Sequence, residues 1–357
     1  MTGGPVERNR MNSRIWAVVT ISAGLGLSAC SDADVRKAEP AAPARMQRVE
    51  TPAPLFTAEA VNRAAWAPPP TEPEAVSPQL VKAQVLLDRA GFSPGVIDGR
   101  YGENVRQALA AYQEARNLDE TGELTPETFA SLEQAAGPAV VAGYTLTAAD
   151  VAGPFIAALP KEIPDQAMLP HLGYTSAAEL VAERFHMDED LLRALNPGVD
   201  FRRAGVTVLV ANPARPALAA EVARIEVDKD EKAVKAYAED GRLLAFYPAT
   251  IGSAEQPSPS GAMTVTHVQR DPLYTYDPKK LDFANDRIKR RTTVKPGPNN
   301  PVGLVWIDLS RPTYGIHGAP EPDVIGKTAS NGCVRLTNWD ALALAAAVKP
   351  GVKVRFL

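Results

Sequence analysis

The rhythm of apolar and polar positions changes several times along the chain. Residues 15–27 form an almost unbroken apolar run, too short to span a bilayer. Residues 31–71 carry Ala, Pro, Glu and Arg with little periodicity, including Pro68-Pro69-Pro70, and predict a disordered tether over 31–76. In 77–136 the spacing turns helical, with Leu80, Val81, Val85 and Leu86 on one stretch and Val105, Leu109 and Tyr112 on the next. Thr125-Pro126-Glu127 then supplies a cap, a first-turn proline and an acid for a third helix.

Residues 144–213 predict an amphipathic helix at 178–185, a second helix closed by Asn196-Pro197-Gly198, and a strand at 206–210. An opening strand is placed around Gly173-Tyr174-Thr175. From Arg224 the period becomes two. Ile225 and Val227, then Val234 and Ala236, alternate about a turn, and Asp240-Gly241 predicts a hairpin ahead of 243–247. Further strands are expected at 263–268, 303–307, 314–317 and 352–356. One helix is expected over 338–348, with Asn338 as its cap.

Composition adds bounds. At 357 residues and 45% apolar content the chain can build two or three cored domains, and its 32 prolines suit linkers between them. A net charge of −4 points to neither nucleic acid nor an anionic membrane surface. Arg8, Arg10 and Arg14 precede the apolar run, and Leu27-Ser28-Ala29-Cys30 follows it, which is the layout of an export signal over 1–30. Met11 serves equally well as the start. The tetrad resembles the bacterial lipobox, which implies lipidation of Cys30. An ordinary signal with a chance cysteine is the alternative. Ser31 after that cysteine resembles an outer-membrane rather than an inner-membrane sorting context, on the periplasmic face.

The chain has two cysteines, so lipidation of Cys30 leaves Cys333 without a disulfide partner in an oxidising compartment. Cys333 lies in Ser330-Asn331-Gly332-Cys333-Val334-Arg335-Leu336, sixteen positions after His317 in Gly315-Ile316-His317-Gly318. A thiol beside an imidazole is an activated nucleophile and also a good leaving group, as acyl transfer requires. Gly332 permits close approach of a substrate, and backbone N–H groups around Gly332 and Cys333 are candidate oxyanion donors, worth about 3 kcal/mol each in other acyl-transfer enzymes. Arg335, two residues on, shares a face with Cys333 if the segment is a strand, and suits either a substrate carboxylate or a structural salt bridge. His171 and His186 lack metal-ligand spacing, and His267 on a strand reads as a spectator. The basic stretch 279–295 is either an attractor of anionic polymer or a solvated flap.

Three resemblances follow from these residues. The run 94–102, with Ala111-Tyr112-Gln113 and 118–122, resembles the three-helix peptidoglycan-binding domain. The helix, helix and strand of 144–213 are similar to a LysM glycan-binding module. Residues 222–357 resemble the L,D-transpeptidase (YkuD) catalytic domain through 257–261, 296–303, Gly315-Ile316-His317-Gly318 and the Cys333 motif. The expected architecture is therefore multidomain α+β: a helical peptidoglycan-binding module, a LysM-like α/β module, and a mostly antiparallel β catalytic domain with one C-terminal helix.

The resemblance implies a thioester at Cys333 formed from a peptidoglycan stem peptide and passed to an amine, with no metal or organic cofactor. It implies His317 as base, oriented by the Gly318 carbonyl, although Asp308 or Asp323 would serve in its place. Ser330 and Asn331 shape the loop. Expected partners are stem peptides, glycan strands, the membrane through Cys30, and an outer-membrane lipoprotein as one candidate acyl acceptor; nucleic acid is not expected. Hydrolysis of the same thioester, or a non-catalytic tether between membrane and wall, are the competing readings.

Overall fold

The computed structural model describes residues 56–72, 74–135, 137–253, 256–279 and 288–357. The expected leader with Cys30, and the tether up to residue 55, lie outside the described residues, as do Lys280 and Arg287 of the basic stretch.

The helical module comprises Pro78–Arg89, Glu103–Arg116 and Pro126–Gln134. Proline occupies the first turn of the first and third, where its missing N–H costs nothing. Thr125 caps the third by accepting the Thr128 N–H at 3.1 Å, and Asn117 ends the second in the left-handed region at φ 54°. The stretch before it is not a free tether where it is described. A five-residue helix, Ala58–Asn62, buries Val61, and Asn62 makes two 2.9 Å hydrogen bonds to the backbone of Val141. The Trp66 indole donates to the Leu124 carbonyl at 2.7 Å. A helix this short has no periodicity to reveal it.

The second module opens earlier than expected. Val141–Thr145 pairs antiparallel with Thr207–Ala211, enclosing the helices Ala177–Arg184 and Glu189–Leu195. The segment expected as the opening strand, 173–175, instead lies against the third module, where the Asn299 amide donates to the Gly173 carbonyl at 3.0 Å. Two short helices, Ala148–Ala152 and Ile163–Met168, separate the true opening strand from the rest of the module.

The third module is an eight-stranded sheet. Its order is Val334–Arg335, Gly315–His317, Val305–Leu309, Gly261–Arg270, Lys353–Phe356, Arg224–Asp228, Ala233–Tyr237 and Leu243–Pro248. It is antiparallel at every junction but two: Val334–Arg335 with Gly315–His317, and Lys353–Phe356 with Arg224–Asp228. The helix Asn338–Ala347 packs on the sheet. Its cap is Thr337, whose hydroxyl accepts the Asp340 N–H at 3.2 Å, and not Asn338. The strand expected at 303–307 begins at Val305, because Gly303 turns the chain at φ 61°. The basic stretch is bracketed by a hairpin of Tyr274–Tyr276 and Thr292–Val294 that the alternation did not reveal.

The helical module is fastened to the sheet. At the sheet edge, the Phe246 N–H donates to the Gly91 carbonyl at 3.0 Å and the Ser93 N–H to the Phe246 carbonyl at 2.9 Å. Phe92 and Phe246 are both buried, a contribution of about 1.5–3 kcal/mol each. Beneath them, buried Arg215 pairs with Asp88 of the helical module and, at 2.8 Å, with Asp340 of the catalytic helix. His186 of the second module joins Asp88 at 3.0 Å and stacks on Trp339.

Candidate active site

The nucleophile loop lies between two short strands, Ala329–Ser330 and Val334–Arg335, and small hydroxyls hold it in shape. Ser330 Oγ donates to the Cys333 carbonyl at 2.5 Å and accepts the Gly332 N–H at 3.2 Å. Ser258 Oγ donates to the Gly332 carbonyl at 2.7 Å. Gly332 sits at φ 110°, which L side chains rarely adopt, and a Cβ there would press on Tyr314 at 3.2 Å. The residue type is thus dictated by backbone and space together. Asn331 is exposed at the loop tip.

Pairing of Gly315–His317 with Val334–Arg335 sets His317 opposite Arg335. Cys333, His317, Arg335, Ser330 and Asn331 all line one cleft of about 410 Å³, walled by Tyr274, Trp306, Tyr314 and Val302. Cys333 is half-buried, and its thiol donates to the Thr313 carbonyl at 3.6 Å. Thr313 itself is held at φ 71°, a conformation that a β-branched residue adopts only under constraint.

His317 is buried, and its Nδ1 hydrogen-bonds the Gly318 carbonyl at 2.6 Å. A carbonyl only accepts, so Nδ1 carries the hydrogen and Nε2 keeps its lone pair for a proton. Burial, and then the positive charge of Arg335, push His317 down to about 3, against the opposing pull of the Gly318 carbonyl. The imidazole is neutral at any ordinary pH. Burial also pushes the Cys333 thiol up, only partly offset by the Gly315 backbone and by Arg335. The resting pair is therefore thiol and imidazole, not thiolate and imidazolium, and the proton moves only as the sulfur attacks.

Neither aspartate orients the histidine. Asp308 accepts from the Trp306 indole at 3.1 Å and from the Thr266 hydroxyl at 2.8 Å, and Asp323 is exposed. Gly318 has a second duty, since a Cβ there would run into Asn338 Oδ1, which accepts the Leu304 N–H at 3.0 Å. Arg335 lines the cleft and makes no ion pair with a described carboxylate. Of the other histidines, His186 pairs with Asp88, His171 contacts the Pro154 carbonyl at 3.4 Å, and His267 is exposed on a strand away from the cleft lining. Among the described residues no group of three or more His, Cys, Asp or Glu is placed to hold a metal ion. Trp306 and Tyr274 escape a sequence reading because they reach the cleft through strand register, and Thr313 and Tyr314 because they reach it through the turn ahead of Gly315–His317, neither of which a local motif encodes.

Residues 222–355 match the family model described as "L,D-transpeptidase catalytic domain", and residues 76–132 match "Putative peptidoglycan binding domain"; the chain carries both domains. It is 29% identical over 178 residues to "Putative L,D-transpeptidase YkuD" of Bacillus licheniformis, covering 49% of this chain and 90% of that one. It is 32% identical over 135 residues to "Probable L,D-transpeptidase ErfK/SrfK" of Escherichia coli, covering 37% of this chain and 43% of that one. The chain thus spans most of the first relative and less than half of the second. Among solved structures it is similar to an L,D-transpeptidase from Xylanimonas cellulosilytica, at 17% identity and a TM-score of 0.37, over 82% of this chain and 100% of that one.

Proposed function

We propose that this protein is a peptidoglycan L,D-transpeptidase that carries the acyl group of a stem peptide on Cys333. The observation that carries the reading is a half-buried thiol and a neutral, Nδ1-protonated histidine lining one cleft together with Arg335. His317 Nε2 takes the thiol proton as Sγ attacks the donor carbonyl. The Gly332 N–H is engaged by Ser330 Oγ, which leaves the Cys333 amide as the donor to the developing oxyanion. The imidazolium returns its proton to the departing amine, and the thioester remains. An acceptor amine then attacks that thioester, gives its proton to His317, and displaces the sulfur, which is reprotonated. Arg335 holds a carboxylate of the stem peptide.

The finer reading has its support in the sequence and topology. The antiparallel pair Val141–Thr145 and Thr207–Ala211, with the helices Ala177–Arg184 and Glu189–Leu195 between them in sequence, suits a LysM-like glycan-binding module despite two additional short helices, and the 76–132 match suits wall attachment. Leu27-Ser28-Ala29-Cys30 suits a lipid anchor, with the protein on the periplasmic face of the outer membrane and a lipoprotein amine among its acceptors.

The test is incubation of the purified chain with tetrapeptide muropeptides, followed by mass spectrometry. A thioester on Cys333 and a cross-linked dimer are expected, both lost in Cys333→Ala. A tripeptide without dimer assigns hydrolysis instead. No adduct at all overturns the proposal.

A further inference from the structure

The cleft is built from the third module, yet the segment leading into its nucleophile loop is held from the first. Asn104, in the first turn of Glu103–Arg116, donates its amide hydrogen to the Ile325 carbonyl at 2.9 Å. It is wedged between two glycines. A Cβ on Gly326 would collide with the Asn104 amide, and one on Gly95 would reach it at 3.2 Å.

From Ile325 the contacts lead to the reacting groups in three steps. The Gly326 N–H donates to Thr250 Oγ1 at 3.1 Å, and Thr250 Oγ1 donates to the Val324 carbonyl at 3.3 Å. Thr250 is fully buried and exchanges two 2.9 Å backbone hydrogen bonds with Arg335. Beyond it, Ile251 and Gly252 pair in parallel with Ala329 and Ser330, and the Ser253 N–H donates to the Ser330 carbonyl at 3.1 Å. The helical module also holds the other end of this support, through Gly91 and Ser93 on Phe246. The two segments that support Cys333 are therefore each held, at Phe246 and at Ile325, by residues of the helical module.

We propose that Asn104 is a positioning residue, through which the helical module fixes the loop that carries Cys333 and Arg335. An amide donor suits this position because the Ile325 carbonyl, just after the 3-10 turn Pro322–Val324, faces the helix; a leucine of similar size fills the space but releases the carbonyl. The proposal rests on the reading of Cys333 as the acyl carrier, and one of its two readouts is independent of that chemistry.

The experiment uses the full chain and the variant Asn104→Leu, with Gln107→Ala on the same helix as control. Backbone amide exchange is read at Gly326 and across 330–333, and the rate of Cys333 acylation is read with a carbapenem. The expected result is exchange about tenfold faster at those amides, acylation about tenfold slower, and a melting temperature within about 2 °C of the parent. Exchange and acylation both at the parent's rates overturn the proposal, as does a uniform acceleration of exchange across the whole chain. If Asn104→Leu fails to fold, Asn104→Ser, with a shorter side chain, is read in the same way. A parent chain that shows no acylation counts against the transpeptidase reading, while the exchange result still decides the role of Asn104.

Discussion

The Trp306 indole lies against the His317 imidazole, with ring centroids 5.3 Å apart and planes inclined by 18°. The two face each other across antiparallel strands, and Asp308 fixes the indole through its N–H at 3.1 Å. The indole therefore shields one face of the base from water, and water exclusion is the larger cause of the imidazole's low proton affinity.

Trp306→Leu is expected to admit water beside His317 and let its pKa climb toward the ordinary 6.5. A protonated imidazole cannot accept the thiol proton, so an acid limb will enter the pH–rate profile of Cys333 acylation that the parent lacks above about 4. The stability consequence has a definite sign. Between 6.5 and about 3 the unfolded chain binds a proton that the folded chain refuses, so the parent loses stability as pH falls through that window. His317→Gln is expected to flatten that part of the melting-temperature profile.

Arg335→Gln removes the guanidinium that lines the cleft. A charge-assisted hydrogen bond contributes about 1.5–3 kcal/mol, so a donor peptide with a free carboxylate is expected to acylate Cys333 about 10- to 100-fold more slowly. An amidated donor will lose much less. Equal losses for both donors would assign Arg335 to the loop's structure rather than to substrate.

Glu183 is buried, and burial pushes its carboxyl up to about 7, although Asn338 and Tyr174 each hydrogen-bond it at 3.1 Å. The folded chain holds this proton more tightly than the unfolded one. Its stabilising effect is complete below 4.5 and is lost as pH rises through about 7. Glu183→Gln is expected to raise the melting temperature by about 5 °C at pH 8 and to leave it nearly unchanged at pH 4.

Arg215 is shared by two buried carboxylates. Burial alone would raise Asp88, but Arg215 and His186 bring it down to about 2, whereas Asp340 stays above its ordinary value because burial prevails. Arg215→Met strands both carboxylates and is expected to cost about 3–5 kcal/mol, read as a lower urea midpoint. The triple variant Asp88→Asn, Arg215→Met, Asp340→Asn is expected to recover much of that loss, because it removes the unpaired charges as well.

The residues that sequence alone revealed are those whose chemistry is local. Ser330, Gly332 and Cys333 form one loop within four positions, and the His317 contact to Gly318 spans a single peptide. Trp306 was invisible because its partner is chosen by register. Asn338 was misread as a cap because asparagine is a favoured cap residue, yet its amide is spent on Leu304, Pro298 and Glu183 while Thr337 caps the helix. The strand Val141–Thr145 was missed because it is short, carries Gly143 at its centre, and finds its partner more than sixty positions away.

The contact of Gly91 and Ser93 with Phe246 has a consequence for how this chain can be divided. Leu243–Pro248 is the last strand of the sheet, and a fragment beginning near Val222 would present it bare, with open N–H and carbonyl groups along a strand that is buried throughout in the full chain. Such an edge recruits a second copy of itself. By covering that edge at Phe246, the helical module keeps the sheet from pairing with another copy of itself.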